Sequence, residues 1–442
     1  MSQSKAPHRG LAVPSGRLSR LARFGSMASG IAGSIAVNGA RQVIEGRRPV
    51  MGELLLTPAN AARITHQLAQ MRGAAMKVGQ LLSMEAGDIL PPEMAEILAR
   101  LRSDAHPMPS RQLKAVLEAE WGPRFMRRFA RFDVQPIAAA SIGQVHRAQT
   151  KDGRDLAIKV QYPGVRDSID SDVRNVAALI RMSGLVPSGL DIAPLLEEAT
   201  RQLHEEADYA REGQYLARFG ALLADEPDYI VPTIAEDFST ERLLAMSYQA
   251  GVPVESLETA PQDVRDRVVS SLVQLMLREL FEHRLMQTDP NFANYLYDEA
   301  SGRLVLLDFG AARELLSETA ERYRALMRAG LSGDNKGLEC AAEAIGFVSP
   351  ATSERQRQAI FEMIGLALTP LRSDAVFDFG TTPIVEELRD RGMAMAADRE
   401  VSHVPPIDTL FVQRKIAGVF LLARRLRARV PVRHLLEPFA RA

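Results

Sequence analysis

The spacing of hydrophobic positions changes period several times along the chain. From about Thr57 to Arg102 apolar residues recur at helical spacing, and the pattern breaks at Pro91-Pro92. Gly79 stands inside this stretch, where a glycine costs about 1 kcal/mol against alanine; it marks a place where the helix packs closely on another surface. Asp104–Ser110, with Pro107 and Pro109, reads as a linker. The period then shortens to two. Two alternating runs within Ser141–Tyr162 flank Asp152-Gly153, a two-residue turn signal, and predict a β-hairpin. In its second run Leu156, Ile158 and Val160 share one face, and Ala157, Lys159 and Gln161 the other. Asp191–Leu223 reads as one long helix, which places Glu205, Asp208 and Glu212 at i, i+3 and i+7 on one face. Like charges so spaced repel by roughly a few tenths of a kcal/mol per pair. The row is either a solvated face or one that meets cations from elsewhere, with Lys159 and Lys77 as candidates. Tyr229–Ser247 holds two short strand-like pieces, and Gly251 with Pro253 suggests a hinge. From Pro261 to Phe439 the pattern is mostly helical, interrupted by the loop and short strands of Thr288–Gly310. No internal repeat is visible.

Composition changes this picture little. A chain of 442 residues, 46% hydrophobic and 25% charged, is long enough for a large core and two or more lobes. The single Cys340 excludes an intramolecular disulfide framework and a cysteine-based zinc site, and fits a reducing compartment.

Charge is more informative, because the net of −1 is unevenly spread. Residues 1–50 carry eight Lys/Arg against Glu45 alone, and residues 411–442 carry eight against Glu437 alone. An acidic body with two basic ends suits an anionic membrane surface better than a nucleic-acid groove. Phe24–Ala40 carries no charge, and Ser26, Gly30 and Ser34 form a row of small residues, but the stretch is too short and too weakly apolar to read as a spanning helix. The acid-free start also has the character of a transit peptide and lacks the apolar core of a secretory signal. A cytoplasmic protein held peripherally at a membrane is the expectation.

The candidate chemistry lies in residues set far apart. Lys159 closes the strand-like run Ala157-Ile158-Lys159. Asp289 and Asn294 stand five apart in Asp289-Pro290-Asn291-Phe292-Ala293-Asn294, and Asp308 opens Asp308-Phe309-Gly310 directly after the apolar run Leu304–Leu307. Phosphoryl transfer needs a cation on the nucleotide phosphates, oxygen ligands for magnesium, and a carboxylate near the attacking group. Lys159 would meet the phosphates, oriented by a helix carboxylate, best Glu212. Asp289 would serve the attacking hydroxyl or water, and Asn294 and Asp308 would hold Mg²⁺ through hard oxygens. The spacing from Asn294 to Asp308 allows a short hairpin that returns the chain to one metal. Ala138, Ala139, Ala140 and Ser141 occupy the place of a phosphate-covering loop just before the first hairpin. Glycine normally dominates such loops, since backbone N–H groups must approach phosphate closely; three alanines make this one stiffer.

Ala138–His146, Ala157–Gln161, Glu206-Ala207-Asp208-Tyr209, Met286–Tyr297 and Lys77-Val78-Gly79-Gln80 together resemble the UbiB/AarF atypical kinase-like family, in its coenzyme Q biosynthesis branch. The resemblance runs from about Leu68 to Leu436. It implies an α+β, protein-kinase-like two-lobe fold with an N-terminal helical extension covering the active cleft. The expected parts are a basic arm over 1–50, the extension over 51–115, an N-lobe over 116–250 and a helical C-lobe over 251–442. Lys77, Gly79 and Gln80 would belong to the cover, with Glu206 and Asp208 facing it. Glu212 would be the lysine-pairing glutamate, Asp289 the catalytic aspartate, and Asn294 and Asp308 the metal ligands. Gln287-Thr288 replaces the His-Arg of ordinary kinases, which removes a receptor for an activation-loop phosphate. ATP or ADP with magnesium is the implied ligand, ATP hydrolysis the implied activity, and protein phosphorylation in trans is not expected. Implied partners are membrane lipids and quinone-biosynthesis intermediates or enzymes; a second copy of the chain is compatible with this, and nucleic acid is not. A small-molecule or lipid kinase and a nucleotide-gated scaffold without turnover are the alternatives on the same fold.

Overall fold

The computed structural model describes residues 107–140, 142–183, 193–289, 291–397 and 405–441. The helical pattern of Thr57–Arg102, the basic arm, Phe24–Ala40, and Lys77, Gly79, Gln80 and Ser141 lie outside the described residues. The chain divides into two compact units. One holds the described residues through Arg211 together with Ile234–Tyr248; the other holds Glu212–Thr233 and the described residues from Gln249 onward.

The first unit is built on an antiparallel sheet. Strands β1 (Phe129–Phe132), β3 (Gly143–Thr150), β4 (Asp155–Gln161) and β6 (Leu243–Ser247) lie in the order β1-β3-β4-β6, and β2 (Ala138–Ala139) pairs with β3. The hairpin register sets Val145 opposite Lys159 and Gln149 opposite Asp155. Its turn is longer than the two residues expected. Thr150 N–H donates to the Arg154 carbonyl, and Gly153 takes φ +92°, a left-handed conformation open to glycine. The two faces of β4 separate as the alternation requires. Leu156, Ile158 and Val160 join a core with Leu113 and Leu117 of α1 (Ser110–Trp121), Phe125, Phe129 and Phe238. Trp121 packs against Phe125, Phe129 and Phe238 and donates its indole N–H to the Phe238 carbonyl.

The helix expected over Asp191–Leu223 is two helices, α3 (Ala193–Glu206) and α4 (Tyr209–Leu222), which follow α2 (Val165–Ser183) in the chain. Asp208 makes the break. Its Oδ1 accepts from the Arg211 backbone N–H at 3.0 Å, which caps α4, while Gln161 Nε2 on β4 takes the Ala207 carbonyl at 2.9 Å. A continuous acidic row across Glu205, Asp208 and Glu212 therefore does not form. Glu205 instead meets Arg201 and Arg211.

In the second unit β5 (Tyr229–Ile230), β7 (Val252–Pro253), β9 (Tyr295–Asp298) and β10 (Arg303–Leu306) form a sheet in the order β5-β10-β9-β7, with β5 parallel to β10. The Gly251–Pro253 step, expected as a hinge, is an edge strand. A Cβ on Gly251 would sit 2.9 Å from the Tyr297 carbonyl oxygen, so the close approach requires glycine. β8 (Leu285–Gln287) and β11 (Ala312–Glu314) pair separately beneath the long helix α5 (Gln262–Phe281). Six further helices follow: α6 (Ser317–Ser332), α7 (Asn335–Ile345), α8 (Glu354–Ala367), α9 (Ile384–Ala397), α10 (Ile407–Arg425) and α11 (Val432–Arg441). Among the described residues no helix is long and apolar enough to cross a membrane.

The basic C-terminal end is not a free tail. Arg424 pairs with Glu386, Arg425 with Glu255 and Glu258, Arg429 with Asp378, and Arg433 with Asp374 and Glu437. These charges are engaged in ion pairs within their own unit.

One buried chain of hydrogen bonds fixes a tautomer in the first unit. His146, fully buried, contacts the Asp133 carbonyl through Nδ1 at 2.8 Å, so Nδ1 carries the proton. Its Nε2 then accepts from Gln144 Nε2 at 2.7 Å, and Gln144 Oε1 accepts from Met108 N–H at 2.9 Å. Burial lowers the His146 pKa below its ordinary 6.5, and Asp133 offsets only part of that. The unfolded chain therefore binds this proton at a higher pH than the folded one. The stability contributed by neutral His146 is full above about 6.5 and declines as pH falls toward the depressed folded value. Denaturant melts between about pH 7 and pH 5 should show a steeper loss of stability for the native protein than for His146→Gln; parallel declines would refute the assignment.

Candidate functional site

The hairpin β9–β10 places the two metal-ligand candidates. Gly302, at φ +71°, turns it, and Tyr295 pairs with Leu306, so Asn294 and Leu307 stand just outside its open end and Asp308 follows one residue later. The Leu307 N–H donates to the Asn294 carbonyl at 3.0 Å, which continues the ladder one step. Asn294 and Asp308 line one small cavity with Leu275, Glu279, Gln287, Tyr295, Leu306, Leu307 and Phe309, with room for about one water. Asp308 Oδ1 accepts from the Gly310 N–H at 3.0 Å, which fixes the start of the Asp-Phe-Gly turn. Phe309 is buried and its ring lies 4.9 Å from that of Phe219 on α4. A helix that carries Glu212, itself buried, is thus packed on the residue next to Asp308.

Asp289 joins this group through the backbone. Asn294 Nδ2 donates to the Asp289 carbonyl at 3.3 Å, and Asn291 Oδ1 caps the short turn Phe292–Asn294 by accepting from Ala293 N–H. Thr288 is held at both amide and hydroxyl by the Ala311 carbonyl, at 3.2 and 2.8 Å. Three of the expected residues, Asp289, Asn294 and Asp308, therefore lie in one loop-and-hairpin assembly of the second unit. Asn294 and Asp308 carry side-chain oxygens of the kind that a hard cation takes together with phosphate and water. Among the described residues no cluster of three or more His, Cys, Asp or Glu is arranged as a self-sufficient metal site.

Below the loop lies a cluster that the sequence reading missed. Lys415 of α10 and Glu279 of α5, each about 1% exposed, are 2.9 Å apart. The Lys415 Nζ also donates to the Gln287 carbonyl at 3.0 Å and the Tyr295 hydroxyl at 3.1 Å, so three oxygens surround the ammonium. Glu279 Oε1 in turn accepts from the Gln287 N–H at 3.4 Å. Burial pulls the Lys415 pKa down, but Glu279 and Tyr295 outweigh it and hold the ammonium above its ordinary range. Burial pushes Glu279 up and Lys415 pulls it back; with three oxygens about the Nζ, the pair is ionised. The available signal was charge inside apolar runs, Arg278-Glu279 in α5 and Arg414-Lys415 in α10. Partners so distant in sequence gave no spacing to read.

Lys159, Glu206 and Asp208 belong to the first unit. Lys159 is 6% exposed, and its Nζ lies 5.6 Å from the centre of the Tyr209 ring, a cation–π distance. Ala138 and Ala139 are exposed strand residues opposite Val145 and Gln144, and Ala140 N–H donates to the Gly143 carbonyl. The alanine run is thus one side of a tight hairpin. Gly143 is its obligatory glycine, because a Cβ there would come within 2.5 Å of the Val160 carbonyl oxygen and 2.8 Å of the Tyr209 hydroxyl. Gln144 and His146 of the same motif are committed to the buried chain described above.

A family model described as the ABC1 atypical kinase-like domain matches residues 100–342, more than half of the chain. The chain belongs to the ABC1 atypical kinase-like family. The family is α+β and kinase-like in fold. Among curated ABC1 relatives, the atypical kinase COQ8, mitochondrial, of Saccharomyces cerevisiae is 36% identical over 95% of this chain and 83% of its own length. The rat atypical kinase COQ8B, mitochondrial, is 37% identical over 96% of this chain and 80% of its own length. Rv3197 of Mycobacterium tuberculosis, solved in complex with erythromycin, superposes with a TM-score of 0.60 at 25% identity, covering 85% of this chain and 94% of that one. ABC1 membership is thus carried by most of the chain, including both hairpins.

Removing one member of the buried pair leaves an uncompensated charge, which costs about 3–5 kcal/mol. Urea unfolding of Glu279→Ala should show a loss of that size, and the double variant Glu279→Leu with Lys415→Met should recover part of it. A single variant as stable as the native protein would show that the pair is not ionised.

Proposed function

We propose that the protein is a magnesium–ATP-binding atypical kinase that hydrolyses ATP in support of ubiquinone, or related isoprenoid quinone, biosynthesis at a membrane surface. The observation that carries the reading is the placement of Asn294 and Asp308 on one cavity at the open end of the β9–β10 hairpin, with Asp289 bonded to Asn294. Asn294 and Asp308 would hold Mg²⁺, which when bound neutralises charge on the nucleotide phosphates. Asp289 would accept the proton of, or orient, the attacking water or hydroxyl. Lys159 would pair with Glu212 and meet the phosphates, and Ala138, Ala139, Ala140 and Ser141 would cover them. Lys77, Gly79 and Gln80 would cover the cleft opposite Glu206 and Asp208. The quinone pathway and the membrane rest on family resemblance, on relatives named as mitochondrial COQ8 kinases, and on the basic residues 1–50.

ATP turnover by purified protein, with and without anionic liposomes and a phenolic quinone precursor, tests the whole reading. Liposomes and precursor should each raise the rate, and a rate indifferent to both would remove the membrane and quinone parts. Changes outside a metal's own ligands already cost about 10–100-fold in affinity. Asp308→Asn should therefore weaken magnesium-dependent nucleotide binding by about 100-fold or more and abolish turnover; unchanged hydrolysis would refute the metal assignment.

The exposed Ala138–Ala139 strand gives a second test. Ala139→Gly frees the backbone by about 0.5–1 kcal/mol, a several-fold effect on binding. The ratio of ATP to ADP affinity should shift by that order in calorimetry. An unchanged ratio would show that this segment does not control phosphate placement.

A further inference from the structure

The loop from Gln287 to Asn294 contains no basic residue and a single acidic one, Asp289. Backbone bonds fix its ends, but a carboxylate on such a loop still turns about its own side-chain torsions unless something grips it. The grip comes from 125 residues further on. Arg414 Nη2 donates to Asp289 Oδ1 at 2.8 Å, with the arginine side chain 10% exposed and the aspartate 19%. A charge-assisted bond of this length, largely screened from water, is among the stronger polar contacts a protein makes.

Arg414 is itself held by its neighbour. Lys415 cannot leave its place without stripping an ammonium of three oxygen partners in a site closed to water. That requirement fixes the rotation of α10 about its axis. With the helix so fixed, the residue one step earlier projects about 100° away, and there it meets Asp289. Two adjacent residues of one helix therefore reach the loop at two points: Lys415 at the Gln287 carbonyl and Arg414 at the Asp289 carboxylate.

We propose that Arg414 is the positioning residue for the Asp289 carboxylate, and that Arg414 and Lys415 together form a two-point tether by which α10 holds the 287–294 loop in its working geometry. The tether supplies from the C-terminal helix a cation that the loop, with Gln287-Thr288 in place of His-Arg, does not carry. Its catalytic consequence rests on the reading of Asp289 given above; its mechanical consequence does not.

The experiment compares full-length protein with Arg414→Ala, Arg414→Lys and Asp289→Asn. Hydrogen–deuterium exchange of nucleotide-free protein should show amides of 287–294 exchanging about tenfold faster in Arg414→Ala, as loss of one charged hydrogen bond predicts. Amides of α5 should be unchanged. The kcat should fall by about tenfold or more with nucleotide Kd within about twofold, because the contact orients rather than binds. Arg414→Lys should recover part of the rate, and added guanidinium ion, but not urea, should partly restore Arg414→Ala.

Unaltered exchange at 287–294, or a native kcat in Arg414→Ala, would overturn the proposal, as would a loss confined to nucleotide affinity. If Arg414→Ala does not fold, Arg414→Lys carries the same comparison, with a smaller expected rise in exchange and fall in kcat. Native protein whose turnover is no greater than that of Asp289→Asn would instead defeat the functional reading, and the exchange measurement would still decide the tether.

Discussion

A lysine and a glutamate taken together out of water are tolerable only where geometry is nearly complete, since desolvation of each ion costs several kcal/mol. Lys415 and Glu279 meet that condition. The ammonium has three oxygens, and both the N–H and the carbonyl of Gln287 are drawn into the same cluster. Two helices and a strand distant in sequence must therefore sit in one relation. The candidate site stands on that relation: Gln287 ends β8, Tyr295 starts β9, and the intervening loop carries Asp289 and Asn294. An apolar replacement of similar volume could fill the same space, but it would not specify which backbone atoms of Gln287 face which helix.

The first unit solves a similar problem without charge. There a neutral imidazole fixed in one tautomer links Asp133, Gln144 and Met108. Gln144 sits opposite Ala139 and beside Gly143, so the stem of the alanine hairpin is anchored by buried polar side chains while its alanines are exposed. The stem of that hairpin is thus held by polar side-chain bonds as well as by its backbone ladder.

What was legible in the sequence was local. Alternation gave the faces of β4, and the interval from Asn294 to Asp308 held a hairpin because a strand pair and its turn are specified by neighbouring residues. The reading of Asp191–Leu223 as one helix failed at Asp208, where a side-chain cap and a long-range bond from Gln161 outcompeted helical periodicity. The ion pairs of the basic C-terminal end with partners from Glu255 to Glu386 were not legible, because those partners are unrelated to it by spacing. Arg414, Lys415 and Glu279 escaped notice for the same reason, although each interrupts an apolar run and so asked for a partner.

That last point bears on how such a site is held at all. A loop that must present a carboxylate and an amide to a metal nucleotide cannot be packed tightly by hydrophobic side chains, because its working face has to stay open to a ligand. Its order has to come from behind, through polar contacts strong enough to survive near water. Helices α5 and α10 provide them at Gln287 and Asp289, and the β9–β10 hairpin provides them at Asn294. The residues that would do chemistry on the open side and the residues that fix them on the closed side are then different sets. The second set is invisible to short motifs, and charge buried within an apolar helix is the sequence signal closest to it.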